Sequence, residues 1–290
     1  MSLMRLPIIR HGLTAWDKQA LPQSEFDRRL ERVRAELRSR GLKALIVYSD
    51  MPHSGRAAYF INSHVFDPRM PSLVLVTADA FEAVLKVTAR DLSFFQQFTE
   101  AHLSNADFLS GDLSIKFDEL AREHRLIGTP VALVGARFMP AVLRDKITAL
   151  FGAETITDGE AMLWSIQRDK SAAERALMRQ GADLARQVHD EIARLARPGL
   201  REQELMARAD YIARKGGAQD VDVLIHTSRS ASSAGWPAEH FPFRPVGLAT
   251  LEEGEAVGLF VALQFQGYWV ELSETIFIGT PRMAVESQST

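Results

Sequence analysis

The texture of the sequence changes near residue 158, and that change constrains the fold more than any single motif. Before it, helical and extended patterns alternate. Residues 24–40, "SEFDRRLERVRAELRSR", place Phe26, Leu30, Val33 and Leu37 at helical spacing, with Ser24 as the expected N-cap and Gly41 as the stop. "KALIVYS" (43–49) reads as a buried strand, and "SLVLVTA" (72–78) with "FEAVLKV" (81–87) as two strands about a short turn. A helix over 115–125, a strand over 131–136 and a helix over 139–151 continue the alternation, which argues an α/β domain. After residue 158 come two long helices, 171–197 and 201–217. The first carries the stripe Ala173, Leu177, Ala182, Leu184, Val188, Ile192 and Leu195 and ends at Pro198-Gly199. Extended runs follow: "VDVLIHT" (221–227), "AVGLFVALQF" (256–265) and "YWVELSETIFIG" (268–279). This half is α+β. The expected organisation is therefore an α/β domain over 1–160 and an α+β domain over 161–290.

Composition narrows the chemistry. Apolar residues make up 46% and charged residues 24% of the 290, the profile of a globular chain that can bury a core. Thirty-four basic and 37 acidic residues give a net charge of −3, which lacks the basic footprint of a nucleic-acid partner. There is no cysteine, which removes disulfides, thiolate metal sites and thiol nucleophiles. Runs such as "VGLFVAL" (257–263) are too short to span a bilayer, and no apolar signal core opens the chain. The expectation is a cytoplasmic protein with no membrane partner.

One short motif points elsewhere. "LPIIRHGLTAWD" (6–17) is similar to the opening of the histidine phosphatases, in which His11 would accept the phosphoryl group and Arg10 would clamp it. That chemistry needs a second histidine followed by glycine, and no other histidine here precedes a glycine. A tripeptide without its structural context is a weak signal.

A wider set of matches, in order along residues 24–281, resembles the creatinase/aminopeptidase P/prolidase superfamily, the pita-bread enzymes of peptidase family M24. "FDRRLERVRAELRSRGL", "KALIVYS", "AAYFINS" and "PSLVLVT" resemble its small N-terminal α/β domain. "RDKSAAERALMRQGA" is similar to its R-x-x-K-S-x-x-E-x-x-x-M-R-x-A lead-in, and "RPGLREQEL" to its PG-x-x-E-x-E-L. "LEEGEAVGLFVALQFQGYWVELSETIFIGTP" resembles its two-strand hairpin. The resemblance implies an α/β domain followed by a pita-bread α+β domain. It also implies further His and Glu residues beyond the hairpin, and so an incomplete domain within these 290 residues.

In the metallopeptidases of the group, two aspartates on this hairpin bridge a metal pair that activates water, a task suited to hard carboxylate donors. Counted back from Gly267-Tyr268, the first position falls on Phe260 and the second on Glu271, while the arginine of the T-R-T string falls on Glu274. Phenylalanine cannot ligate an ion, so no metal or other cofactor is expected. By itself Phe260 reads as a core residue on a buried strand; within the resemblance it lines the substrate site. The creatinase branch likewise lacks the metal pair and uses a histidine as general acid/base, assisted by glutamates. An imidazole near neutral pKa suits that role. His240 in the pre-hairpin loop falls nearest the family's position, with three more residues to Gly254 than the usual spacing, and His226 is the second candidate. The branch also holds its substrate carboxylate with a Phe-x-Arg across a dimer interface, and "VFDPRMP" offers Phe66 and Arg69.

The resemblance therefore implies a homodimeric, metal-independent hydrolase of a C–N bond in a small carboxylate-bearing amidine or amide. His240, Glu271 and Glu274 would be catalytic, and Arg69, Phe66, Phe260 and His226 would contact substrate. Two alternatives stay open: a metal-dependent Xaa-Pro peptidase, and a catalytically silent dimeric binding module.

Overall fold

The computed structural model describes residues 17–50, 53, 55–62, 71–86, 106–109, 113–227, 244–245 and 247–280, with the backbone alone at Lys86, 106–109 and 244–245. Phe66, Arg69 and His240, together with Arg10 and His11, lie outside these residues. Two compact units divide between Glu174 and Arg175.

The first unit is built on a six-stranded mixed sheet. Its elements are α1 (Gln23–Arg40), β1 (Ala44–Ser49), α2 (Gly55–Ile61), β2 (Ser72–Thr77), β3 (Phe81–Lys86), β4 (Ala106–Leu109), α3 (Leu113–Glu123), β5 (Val131–Val134), α4 (Ala141–Phe151), β6 (Ile156–Asp158) and α5 (Glu160–Arg168). The strand order is β4-β3-β2-β1-β5-β6; only the β1/β2 and β2/β3 pairs are antiparallel. Strand parity sorts the core into two layers. Leu45 and Val47 pack with Leu30, Val33 and Leu37 of α1 and Met162 of α5. Ala44, Ile46 and Tyr48 pack with Phe117 of α3 and Ile147 of α4 on the other side. Helix α1 buries the apolar set read from its spacing and stops at Gly41, whose left-handed φ of 67° closes the cap. Its start differs from expectation. Pro22 in extended conformation precedes the first turn, and Ser24 sits inside the helix with no capping bond made at its N-terminus.

Three charges, Glu25, Arg29 and Glu174, are buried beside that helix. Arg29, 2% exposed, donates Nε–H to Glu25 at 3.0 Å and Nη1–H to the Tyr59 carbonyl at 2.8 Å. Its Nη2 lies 3.4 Å from Glu174 Oε1. The half-buried Arg28 donates to both oxygens of Glu25, Nη2–H to the shared Oε1 at 2.7 Å and Nε–H to Oε2 at 3.1 Å. Glu174 also closes a capping box at the start of α6 (Ala172–Leu195). It accepts the Ser171 N–H at 2.7 Å, while Ser171 Oγ accepts the Glu174 N–H at 3.0 Å. The K-S-x-x-E string thus has a structural task.

The second unit contains the rest of α6, then α7 (Glu202–Lys215), β7 (Asp220–Thr227), β8 (Arg244–Pro245), β9 (Ala256–Phe265) and β10 (Tyr268–Phe277). The sheet is antiparallel, in the order β10-β9-β7-β8. One face meets the helices: Val221, Val223 and Ile225 of β7 and Val257, Leu259, Val261 and Leu263 of β9 pack on Leu184, Val188 and Ile192 of α6 and Leu205 and Ala209 of α7. The paired glutamates of "REQEL" are structural as well. Glu202, fully buried, accepts the Gly247 N–H at 2.8 Å, and Glu204 accepts the Arg201 N–H at 2.9 Å. No helix among the described residues is long and apolar enough to cross a membrane.

Candidate active site

The candidate residues sit on β7, β9 and β10, and strand parity decides which of them share a surface. The face turned away from α6 and α7 carries Asp222, Leu224 and His226 from β7 and Gly258, Phe260, Ala262 and Gln264 from β9. From β10 it carries Trp269, Glu271, Ser273 and Thr275. The registers order these as rows across three strands. His226, Gly258 and Thr275 form one row. Leu224, Phe260 and Ser273 form the next, and Asp222, Ala262 and Glu271 the one after.

Phe260 is therefore not a core residue, as its apolar setting suggested. Its strand neighbours Leu259 and Val261 are buried beneath the helices, while Phe260 is half-buried on the far face between Leu224 and Ser273. Glu271 is exposed on the same face, diagonal to it.

Glu274 does not join them. Three residues from Glu271, it falls on the helix side, opposite Leu259. Its Oε2 lies 3.7 Å from Nδ1 of His189 of α6, a residue 1% exposed. The other ring nitrogen of His189 lies 3.3 Å from the Leu272 carbonyl and is placed to donate to it. The expectation that Glu271 and Glu274 act on one substrate is corrected by this parity: an odd separation along a strand puts two side chains on opposite faces. His189 went unread in the sequence because it lies within an amphipathic stripe, where its spacing signals only burial.

His226 belongs to the far face. Its ring lies across the sheet over Gly258, where a Cβ would stand 1.9 Å from His226 Cε1 and 2.1 Å from Nδ1. Burial lowers the imidazole pKa below 6.5, because the cationic form loses hydration. His240, Phe66 and Arg69 lie outside the described residues, so the structure neither joins them to this face nor separates them from it.

An α/β domain of this topology followed in the chain by an α+β domain with this hairpin is the order of elements in the pita-bread proteins, and the comparisons agree. The sequence model of metallopeptidase family M24 matches residues 176–288. That match spans nearly the whole of the second unit. Among solved structures, the chain is similar to an X-Pro aminopeptidase from Thermotoga maritima MSB8 (18% identity, TM-score 0.70), covering 88% of this chain and 66% of that one. It is similar to an Xaa-Pro dipeptidase from Bacillus anthracis (18% identity, TM-score 0.67, 89% of this chain and 66% of that one). The aminopeptidase P of E. coli, bound to the inhibitor Pro-Leu, also matches (15% identity, TM-score 0.64, 89% of this chain and 62% of that one). At these identities the likeness is one of fold. The chain spans 66% of the length of the first two of these structures. No curated protein matches it in sequence.

The resemblance implies a bridging metal pair, and a phenyl ring at the position it gives the first bridging ligand does not fit one. The first bridging position is the phenyl side chain of Phe260, between an aliphatic and a hydroxyl side chain. Among the described residues, no three His, Asp or Glu side chains stand close enough to hold an ion.

Proposed function

We propose that the protein hydrolyses a C–N bond in a small amide or amidine that carries a carboxylate, and that it does so without a metal pair. The observation supporting this reading is Phe260: an apolar ring stands on the far face of β9, at the position where the resemblance would need a bridging carboxylate. A half-buried phenyl flanked by Leu224 offers an apolar wall to a small substrate. Glu271 lies one row away, opposite the small Ala262, and in this reading it orients the attacking water or the leaving nitrogen. In this reading an imidazole shuttles the proton, with His240 as the family-like choice. Phe66 and Arg69 hold the carboxylate, and the protein works as a cytoplasmic homodimer. These last assignments come from the resemblance alone.

A metal-dependent Xaa-Pro peptidase is the second reading, favoured by the structural similarity to X-Pro aminopeptidase and Xaa-Pro dipeptidase. Elemental analysis and turnover separate the two. Hydrolysis of creatine or a cyclic amidine that survives chelator, with substoichiometric Mn, Co and Zn, supports the first. Chelator-sensitive cleavage of Xaa-Pro dipeptides with stoichiometric metal overturns it.

A further inference from the structure

Glycine within a strand is destabilising relative to alanine and marks a bulge or a close approach. Gly258 lies mid-ladder in β9, paired to His226 on one side and Thr275 on the other. Its φ lies outside the positive range that would itself call for glycine. What calls for glycine is the His226 ring, which occupies the space of the missing side chain, with Cε1, Nδ1 and Nε2 at 1.9, 2.1 and 2.9 Å from a Cβ built there. The ring is thereby held down on the far face, one row from Phe260. It is the only imidazole on that face among the described residues. Among the described residues the other ionisable groups there are Asp222 of β7 and Glu271 of β10, and β9 contributes none; Asp220, at the start of β7, turns its carboxylate to Arg214 of α7 at 3.7 Å.

We propose that His226 is the proton-transfer group of the far-face site and that Gly258 is the seat that fixes its ring. This inference rests on the hydrolase reading and assigns that reading's proton shuttle to a strand residue in place of the loop residue His240. The step balances with water as the only co-reactant. Water oxygen bonds to the carbon of the scissile C–N bond as His226 takes the water proton. The C–N bond then breaks, and the imidazolium returns that proton to the leaving nitrogen. The lowered pKa of the ring supports this role, since the neutral imidazole is the form that accepts a proton.

The test compares the wild-type chain with H226N, G258A, H240A and the double variant H226A/G258A. Chelator-treated hydrolysis of creatine and cyclic amidines is followed against pH, with thermal melting and NMR titration of the His226 Cε1–H alongside. The expected result is a loss of about 100-fold or more in kcat for H226N, the usual scale of a general acid/base. G258A keeps the imidazole but displaces it: kcat falls, the His226 titration moves up toward the ordinary range, and the acid limb of the rate profile moves with it. A merely structural histidine would not couple titration to rate. H226A/G258A is expected to melt above G258A, because removing the ring makes room for the methyl. That readout holds even if G258A folds poorly. Undiminished turnover in H226N, or a loss confined to H240A, overturns the assignment and leaves the hydrolase reading intact. A double variant that melts no higher than G258A overturns the seat. A folded wild-type protein that turns over none of these substrates overturns the hydrolase reading, and this inference with it.

Discussion

Glu271 and Glu274 stand on opposite faces of β10, the first diagonal to Phe260 and the second 3.7 Å from the buried His189 of α6. Their substitutions should therefore be read by different measurements. Glu271→Gln should lower kcat/KM for amidine hydrolysis by roughly 100-fold, the scale of a lost acid/base or orienting carboxylate. Glu274→Gln should instead register as a stability change below about 1 kcal/mol, since its side chain is 48% exposed and the contact is long. Equal losses of rate in the two variants would show that β10 does not carry them on separate faces.

The Arg29 network should be costly to open on one side. Arg29 neutralises Glu25 and Glu174, which are both buried. Arg29→Met removes the buried cation shared by the two carboxylates, leaves them only the half-buried Arg28, and is expected to cost about 3 kcal/mol in urea denaturation. Combining it with Glu25→Gln and Glu174→Gln should recover part of that loss. The pH dependence has a definite sign. Burial pushes the Glu25 carboxyl up, but the Arg28 hydrogen bond and the Arg29 charge more than reverse this and leave it below 4.5. A carboxyl depressed on folding contributes fully above its unfolded pKa and loses its contribution as the pH falls through the folded one. Acid unfolding of the wild type should therefore steepen below pH 4.5, and Glu25→Gln should flatten it.

How much of this was legible follows from which interactions are local. The stripe of α1 and the six buried residues of β1 came directly from apolar spacing. The split of Glu271 from Glu274 is legible as well, because strand parity is a sequence property, whereas the T-R-T string speaks to motif position and not to faces. Other features needed three dimensions. Arg29 and Glu25 sit on a helix rich in charge, where a solvated face is the ordinary reading, and only the arrival of Glu174 and Tyr59 buries them. The seat of His226 on Gly258 depends on the β7/β9 register, two strands separated by a long connection. Helix α2 is seven residues long, too short for periodicity to reveal.

Phe260→Asp tests what the far face lacks. Phe260 lies opposite Ser273, so an aspartate there would stand diagonal to Glu271, about 7–8 Å between backbones, within reach of a shared ion. Calorimetric titration with Mn2+ should find no stoichiometric binding in the wild type and measurable binding in Phe260→Asp. Tight binding by the wild type would place ligands where the described residues offer none.

Tyr59 should be improvable and should set part of the alkaline limit. Its ring lies 4.6 Å from the Arg29 guanidinium, a contact phenylalanine would keep. Its hydroxyl is buried with no hydrogen-bond partner among the described residues. Tyr59→Phe removes that unsatisfied group and is expected to raise stability at pH 7 by up to about 1 kcal/mol. Burial also pushes the phenol pKa from 10.0 up to about 12. A group raised on folding contributes fully below its unfolded pKa and loses that contribution as the pH climbs through the folded one. Wild-type stability should therefore fall between pH 10 and about 12, with Tyr48, raised to about 12 by burial as well, sharing the loss. Urea midpoints from pH 8 upward would check this: Tyr59→Phe should start higher and fall less steeply. A midpoint at pH 8 below that of the wild type would mean that the hydroxyl has a partner after all.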